Sequence, residues 1–367
     1  MHYLPSRRQL LAAGAALGAA SAVAPLLETT VNAQSPSQPA KSEERPGRRK
    51  RSDSEPFGYC LNTSTIRGHN LSIVEEIDVA AEAGYEAIEP WIGKIDDYLK
   101  NGGSLTDLRK RIDDHGMTVE SAIGFAQWIV NDDAQRSKAM EAAKRDMDRV
   151  AQIGGKRMAA PAAGAQDRTD VSLDRAAERY RALCDLGDQF GVVPQVEVWG
   201  FSKTLTKLSQ ATYVAMESGH PRACVLADVY HLHKGNSDPN GLRLLSAGAM
   251  HVMHVNDYPA EPPREKITDA MRVYPGDGVA PLKLIFTILR DIGYRGYLSL
   301  ELFNEKYWKE SDALTVAETG NSSSVEWIGM RGRYIFARPA RISSSSALSF
   351  HTSMRTILPR LTTKRST

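Results

Sequence analysis

Cysteine is scarce in this chain: its 367 residues hold three, Cys60, Cys184 and Cys224. That number and their scatter exclude a disulfide scaffold, and the absence of a CxxC pair excludes a thiolate zinc site. Long apolar runs are also lacking. Past Leu27 no segment approaches the ~18 apolar residues of a membrane span. Charge of one sign is missing overall, with 46 Lys+Arg against 44 Asp+Glu. The balance is uneven, however. Residues 1–56 carry 8 basic and 5 acidic side chains and residues 321–367 carry 8 and 1, which leaves a net charge of −8 on 57–320. An acidic middle lacks the clustered Lys and Arg that hold phosphates, so nucleic acid is excluded as the main partner. With 42% hydrophobic and 25% charged residues, neither general disorder nor a fibrous repeat fits. The length allows one large domain or two ordinary ones.

The two ends differ from the middle. Ser6-Arg7-Arg8-Gln9-Leu10-Leu11 precedes an Ala/Gly/Leu-rich run, and Val31-Asn32-Ala33 is a small-x-small cleavage signal. A charged start, an apolar stretch and such a site make a secretory signal over 1–33. The paired arginines resemble a twin-arginine export signal, which implies a periplasmic or equivalent location and no stable membrane span after processing. Residues 34–56, rich in Ser, Pro, Lys and Arg, read as a solvated, disordered linker. Residues 321–367, with Ser runs at 322–324 and 343–346 and scattered Arg, read as an atypical, disordered basic tail.

Between these ends one pattern recurs: an amphipathic helix, a glycine, then a short apolar strand. Gly84, Gly116, Gly154, Gly191, Gly219, Gly248 and Gly293 each precede such a strand, and 57–61 supplies one more at the start. The glycine reads as a helix C-cap, where positive φ costs least. Strands apolar on both faces suit a parallel sheet covered by helices. Eight of them over ~250 residues is the size of a (β/α)8 TIM barrel, here over 57–320. A doubly wound sheet would place a glycine-rich phosphate loop after its first strand. That stretch reads Asn62-Thr63-Ser64-Thr65-Ile66-Arg67. No strong helix signal follows the last strand, so the eighth helix is expected to be replaced by the atypical tail.

Barrel chemistry lies at the C-terminal ends of the strands. Four successive strands deliver an acid or imidazole there: Glu197, Asp228, His254 and Glu301. Three carboxylates and one histidine without a cation in their own strands would repel one another when buried. One divalent cation offsets that charge, and an oxygen-rich set with one imidazole suits Mn²⁺ or Mg²⁺, with Co²⁺ or Zn²⁺ also compatible.

These motifs carry a resemblance. Val-Glu-Val-Trp (196–199), Leu-Ala-Asp-Val-Tyr-His (226–231), His-Val-Asn-Asp-Tyr (254–258), Pro-Gly-Asp-Gly (275–278) and Gly-Tyr-Leu-Ser-Leu-Glu (296–301) resemble the xylose isomerase-like TIM barrel family. That family includes sugar isomerases, epimerases and inosose dehydratases. The resemblance implies metal ligands at Glu197, Asp228, His254 and Glu301, and substrate contact at His231. It also implies an Arg after the strand-seven histidine, for which Arg264 is the nearest candidate. The implied reaction removes a proton beside a carbonyl, with Glu197 and Glu301 as the catalytic carboxylates on opposite faces of a sugar or polyol and the cation stabilising an enediolate.

Three tryptophans, Trp91, Trp128 and Trp199, follow strands and either wall the pocket or pack over the rim. Glu89 ends strand two and either binds a substrate hydroxyl or forms an ion pair. No phosphate cradle is evident, which favours a free sugar or cyclitol. The rival readings are a dehydratase, a non-catalytic sugar-binding barrel and an endonuclease-IV-like repair enzyme, the last opposed by the acidic middle. Association into a homo-oligomer is left open.

Overall fold

The computed structural model describes residues 56–328. The expected export signal over 1–33, the expected linker as far as residue 55 and the expected tail from residue 329 lie outside them. Eight parallel strands run in chain order: β1 (Gly58–Asn62), β2 (Ala87–Glu89), β3 (Thr118–Val119), β4 (Arg157–Ala160), β5 (Val193–Glu197), β6 (Val225–Asp228), β7 (Val252–Val255) and β8 (Tyr297–Leu300). The sheet order is β3-β2-β1-β8-β7-β6-β5-β4. First and last strands therefore pair, with Gly58 beside Tyr297 and Leu61 beside Leu300. The remaining gap is bridged just past β3. Ala122 N–H donates to Arg157 O (3.1 Å), and Ala159 N–H donates to Ala122 O (2.9 Å). The (β/α)8 expectation holds.

Strand alternation sorts the sequence into two layers. In β6, Val225 and Ala227 pack outward under the helices, whereas Leu226 joins the core inside the ring. In β7, Met253 and Val255 face outward and Val252 inward; in β8, Leu298 and Leu300 face outward and Tyr297 inward. The same period-two rule places Cys60 and Ala87 inside, with Tyr59, Leu61 and Ile88 outside. Continuing the same alternation to the strand ends puts Asn62, Glu89, Glu197, Asp228, His254 and Glu301 inside at the C-terminal mouth. All six are buried. The inward face is apolar towards the bottom of the ring, and polar side chains, with Gln195 and Ser299 one layer below, gather towards this mouth.

Among the described residues ten α-helices surround or cap the ring: α1 (Ile73–Glu82), α2 (Ile92–Lys100), α3 (Leu105–Asp114), α4 (Asp133–Gln152), α5 (Leu173–Asp188), α6 (Leu208–Glu217), α7 (Val229–Lys234), α8 (Leu282–Asp291), α9 (Glu305–Glu310) and α10 (Ala313–Ile328). The glycine caps mostly behave as expected; Gly84 and Gly293 follow α1 and α8 at φ of 82° and 75°, where any Cβ would be strained. Gly248 does not. It sits in a short 3-10 helix (Ala247–Ala249) rather than closing an α-helix.

The expectation that a tail replaces the eighth helix is corrected. Helix α10 follows β8, packs against α1 and α8, and continues through the first Ser run. It is pinned by Tyr85 OH to Ala317 O (3.1 Å), Tyr274 OH to Val316 O (3.2 Å) and Asn321 Nδ2 to Ala83 O (2.8 Å). Its buried positions include Ala317, Ser323 and Ser324, and Gly320 lies where a Cβ would strike Leu300. Small side chains allow close approach to the sheet, and the same composition imitates a low-complexity tail. Among the described residues no helix is long and apolar enough to cross a membrane.

One charge sits on the buried face of α1. Glu76 is 1% exposed among Ile73, Ile77 and Ala80, and Lys94 Nζ stands 3.7 Å from its Oε1. Burial pushes its carboxyl from 4.5 to about 7, with Lys94 opposing. Between those values the folded protein keeps a proton that the unfolded chain releases. This group's contribution to stability therefore falls as pH rises through that window. Glu76→Gln should raise unfolding free energy at pH 8 by about 1–3 kcal/mol and by almost nothing at pH 4.5. Urea melts at both pH values measure this; an equal shift at both would show that ionisation is not the cause.

Candidate active site at the mouth of the barrel

Register brings the site together. Asp228 pairs with His254 across β6 and β7, and Asn62 with Glu89 across β1 and β2. Glu301, one residue past β8, is anchored by its N–H to Val255 O (3.1 Å). His254 is the hub. Its Nδ1 lies 3.1 Å from Glu301 Oε2, 3.8 Å from Asp228 Oδ2 and 3.9 Å from Glu197 Oε1. Its Nε2 lies 3.0 Å from Glu89 Oε2. Asp228 also shapes the chain that follows it. Its Oδ1 caps α7 by accepting from His231 N–H (2.7 Å). The cap turns the chain into a helix whose third residue is His231, which explains the Asp-x-x-His spacing.

Glu89 is therefore not an open substrate contact. It is fully buried, and its Oε2 also accepts from Asn62 Nδ2 (3.1 Å) and Ser299 Oγ (2.7 Å). A carboxylate on Nε2 keeps a proton there, so that Nδ1, facing the three acids, is the nitrogen that would give up its proton to a cation. Glu89→Gln should weaken divalent-metal affinity about 10- to 100-fold. Calorimetric titration with Mn²⁺ measures it, and an unchanged affinity would mean that Glu89 does not set the ring.

Arg264 is also corrected. Its Nη2 reaches Glu265 (2.9 Å), and it lines a separate small cavity with His233 and Tyr258. Lys234 Nζ holds the carbonyls of Arg264, Glu265 and Ile267 at 2.8–3.1 Å, which fixes that loop away from the acids. The arginine in the site is Arg272, 1% exposed. Its Nη1 donates to Glu301 Oε2 (2.8 Å) and Asp228 Oδ2 (3.0 Å), and its Nη2 to His231 Nε2 (3.2 Å) and to Asp269. The acids thus have a cationic neighbour after all, supplied by a loop rather than by their own strands. What turns it inward is the backbone beside it: Val273, next in sequence, exchanges two hydrogen bonds with Asp257 just beyond β7 (2.9 Å each). The Pro275–Gly278 loop is structural. Asp257 accepts from Gly276 N–H (2.9 Å) and Ala280 N–H (2.8 Å), and a Cβ on Gly278 would strike Tyr258 O.

Trp128 belongs to the core, where its Nε1 donates to Pro161 O (2.9 Å) beneath Tyr180. Trp91 and Trp199 stay at the rim, half-buried. Trp91 Nε1 donates to Asn62 Oδ1 (3.0 Å), and Asn62 Nδ2 donates to Glu301 Oε1 (3.0 Å).

The electrostatics follow from burial and crowding. Burial, reinforced by Glu301 and Asp228 and opposed by His254, pushes Glu197 up to about 8. Burial alone would raise Glu301, but His254 and Arg272 outweigh it and hold its carboxyl below the usual value. Burial would lower His254, yet Glu301 and Glu89 raise it well above an ordinary histidine. His231 is held down to about 4, mainly by burial, and is neutral. Acids outnumber cations around His254. Its Nδ1 is buried with no aligned hydrogen-bond partner. Asp228, His254 and Glu301 each offer a donor atom within 4.8 Å of the others, and no second such group occurs among the described residues. An orphaned imidazole nitrogen facing carboxylates fits a divalent cation.

Comparison with known proteins agrees with this geometry. The sequence profile of the family described as xylose isomerase-like TIM barrel matches residues 77–328. An inosose isomerase from Bacillus velezensis is 25% identical over 264 residues, which cover 71% of this chain and 92% of that protein. A crystal structure of the IOLI protein with a bound zinc atom superposes with a TM-score of 0.69 at 21% identity, covering 74% of this chain and 98% of that one. An L-ribulose 3-epimerase gives 0.60 at 19% identity, over 74% and 94%. At these identities the structural likenesses establish the fold.

Proposed function

Because the chain belongs to the xylose isomerase-like TIM barrel family, we propose that it moves a proton at the carbon beside a carbonyl of a sugar or cyclitol, as a divalent-metal-dependent isomerase or epimerase. The observation that carries this reading is the pair Glu197 and Glu301. They come from the two ends of the β5–β8 arc, and both have an oxygen within 4 Å of the same imidazole nitrogen. Carboxylates so placed can address two sides of one small substrate, one removing a proton and the other returning it. Glu301 is oriented for this: Asn62 holds Oε1 and Arg272 holds Oε2. Arg272 spends its Nη hydrogens on Glu301, Asp228, His231 and Asp269 and so orients the floor, while neutral His231, its Nε2 taken by Arg272, keeps an unpartnered Nδ1 to donate to a substrate oxygen.

A divalent cation held by Glu197, Asp228, His254 and Glu301 would supply Lewis-acid stabilisation of charge on the carbonyl oxygen. Mn²⁺ or Mg²⁺ suits the oxygen-rich set, and zinc occupies the similar IOLI structure. The export reading of residues 1–33 adds a periplasmic or equivalent compartment to the proposal. Solvent deuterium incorporation, followed by NMR over a panel of ketoses, aldoses and inososes with Mn²⁺, tests it. Exchange beside a carbonyl that stops on chelation is expected. Elimination of water from the same substrates would instead identify a dehydratase. Tight binding without exchange would leave a non-catalytic barrel.

A further inference from the structure

The mouth carries an aromatic lip that proton transfer does not use. Phe303, Trp91, Phe125, Trp199, Phe201 and His231 follow one another as ring neighbours, with centroids 6.2, 5.2, 6.1, 5.0 and 5.6 Å apart. They come from the segments after β8, β2, β3, β5 and β6. Aromatic residues are only 7% of the chain, so their gathering in one arc needs a reason. The inner members are tied to the acid centre, Trp91 through Asn62 and His231 through Arg272. Phe125 and Phe201 have no polar edge to tie. Each is 44% exposed, whereas Glu197 and Glu301 are 4% exposed. The wall therefore rises from a buried acidic floor to an exposed apolar edge.

A single sugar or cyclitol ring lying on Glu197 and Glu301 occupies the floor and leaves both phenylalanine faces in water. Apolar surface continuous with a binding site marks where more of a ligand lies. The C–H face of a second sugar ring, or an aryl group, stacks on such rings. Arg67 supports the same extension. Its guanidinium lies 5.1 Å from the Trp91 ring centroid and 5.7 Å from that of Phe303, and the side chain is exposed, which leaves donors for hydroxyl oxygens. We propose that the substrate is a glycosylated ketose, aldose or keto-cyclitol rather than a free monosaccharide, its carbonyl-bearing unit on the acid floor and the glycosyl ring attached to it against Phe125, Trp199 and Phe201. This rests on the reading of Glu197 and Glu301 as the reacting floor and names the substrate class for it.

Binding tests it without turnover. Calorimetry on the Mn²⁺-loaded full chain would compare glucose and myo-inositol with cellobiose and phenyl β-glucoside. The two-ring probes should bind at least about tenfold tighter, a margin of one stacking contact or more. The Phe125→Ala/Phe201→Ala double variant should erase that margin and leave glucose unchanged; because both rings are exposed, an unaltered melting temperature will accompany it. Equal affinities, a margin that survives the double variant, or no binding of either two-ring probe overturns the proposal. So does a drop in oligomeric mass of the double variant by light scattering, since the lip would then be a self-association surface. An intact margin with no deuterium exchange keeps the glycoside site and removes the proton-transfer reading. Exchange on single-ring ketones with no margin does the reverse.

Discussion

Glu301→Gln is expected to slow carbon-bound proton exchange by about 10²- to 10⁴-fold, the usual contribution of a positioned acid or base. The amide keeps the size of the side chain and can still accept from Asn62 or Arg272, so folding should survive. It cannot take a proton. Metal should remain measurable, because Asp228 and His254 stay paired in register and Glu197 still faces the same nitrogen. Metal analysis and deuterium exchange on the same preparation separate the two effects. Full exchange in the variant would remove Glu301 from the chemistry. Loss of metal and exchange together would make it a ligand first.

Arg272→Met should show the second large effect, on stability. The guanidinium is buried against Asp228, Glu301 and Asp269, and rings of Tyr230 and Phe303 lie 4.5 and 5.1 Å from it. Methionine fills part of the volume but leaves the acids uncompensated. Removing one partner of a buried ion pair typically costs about 3–5 kcal/mol. The metal-free variant should lose an amount of that order in urea. Saturating Mn²⁺ should return much of it, since a ligand of the folded state stabilises in proportion to its occupancy. A loss of the same size with and without metal would mean that Arg272 matters for packing rather than charge.

Much of this arrangement is legible in the chain because strand periodicity and the acid positions share one rule. Glu197, Asp228, His254 and Glu301 are the last inward residues of four apolar strands, and nothing but the alternation is needed to place them together. What escaped the sequence has physical reasons as well. Arg272 lies in an irregular stretch with no period, and Arg264 in the same loop carries the same chemistry. Which one turns inward depends on Lys234 gripping three carbonyls and on the Asp257–Val273 bridge, both long-range. Glu89 was visible as a strand-end acid. Its partner, three strands away around the ring, was not. Helix α10 was hidden because serine and glycine have weak helix propensity, although small side chains are what close packing on the sheet selects. Gly248 failed as a cap because a glycine before a strand does not by itself require a preceding α-helix.

The ring is unevenly stitched. β1 and β8 share four registered pairs, as do β4 and β5, whereas β3 reaches β4 through Ala122. In an eight-membered circle that thin seam lies across from the β7–β8 junction that carries His254 and Glu301. The place where the circle is fastened and the place where its chemistry sits are thus set apart, like a clasp placed opposite the stone.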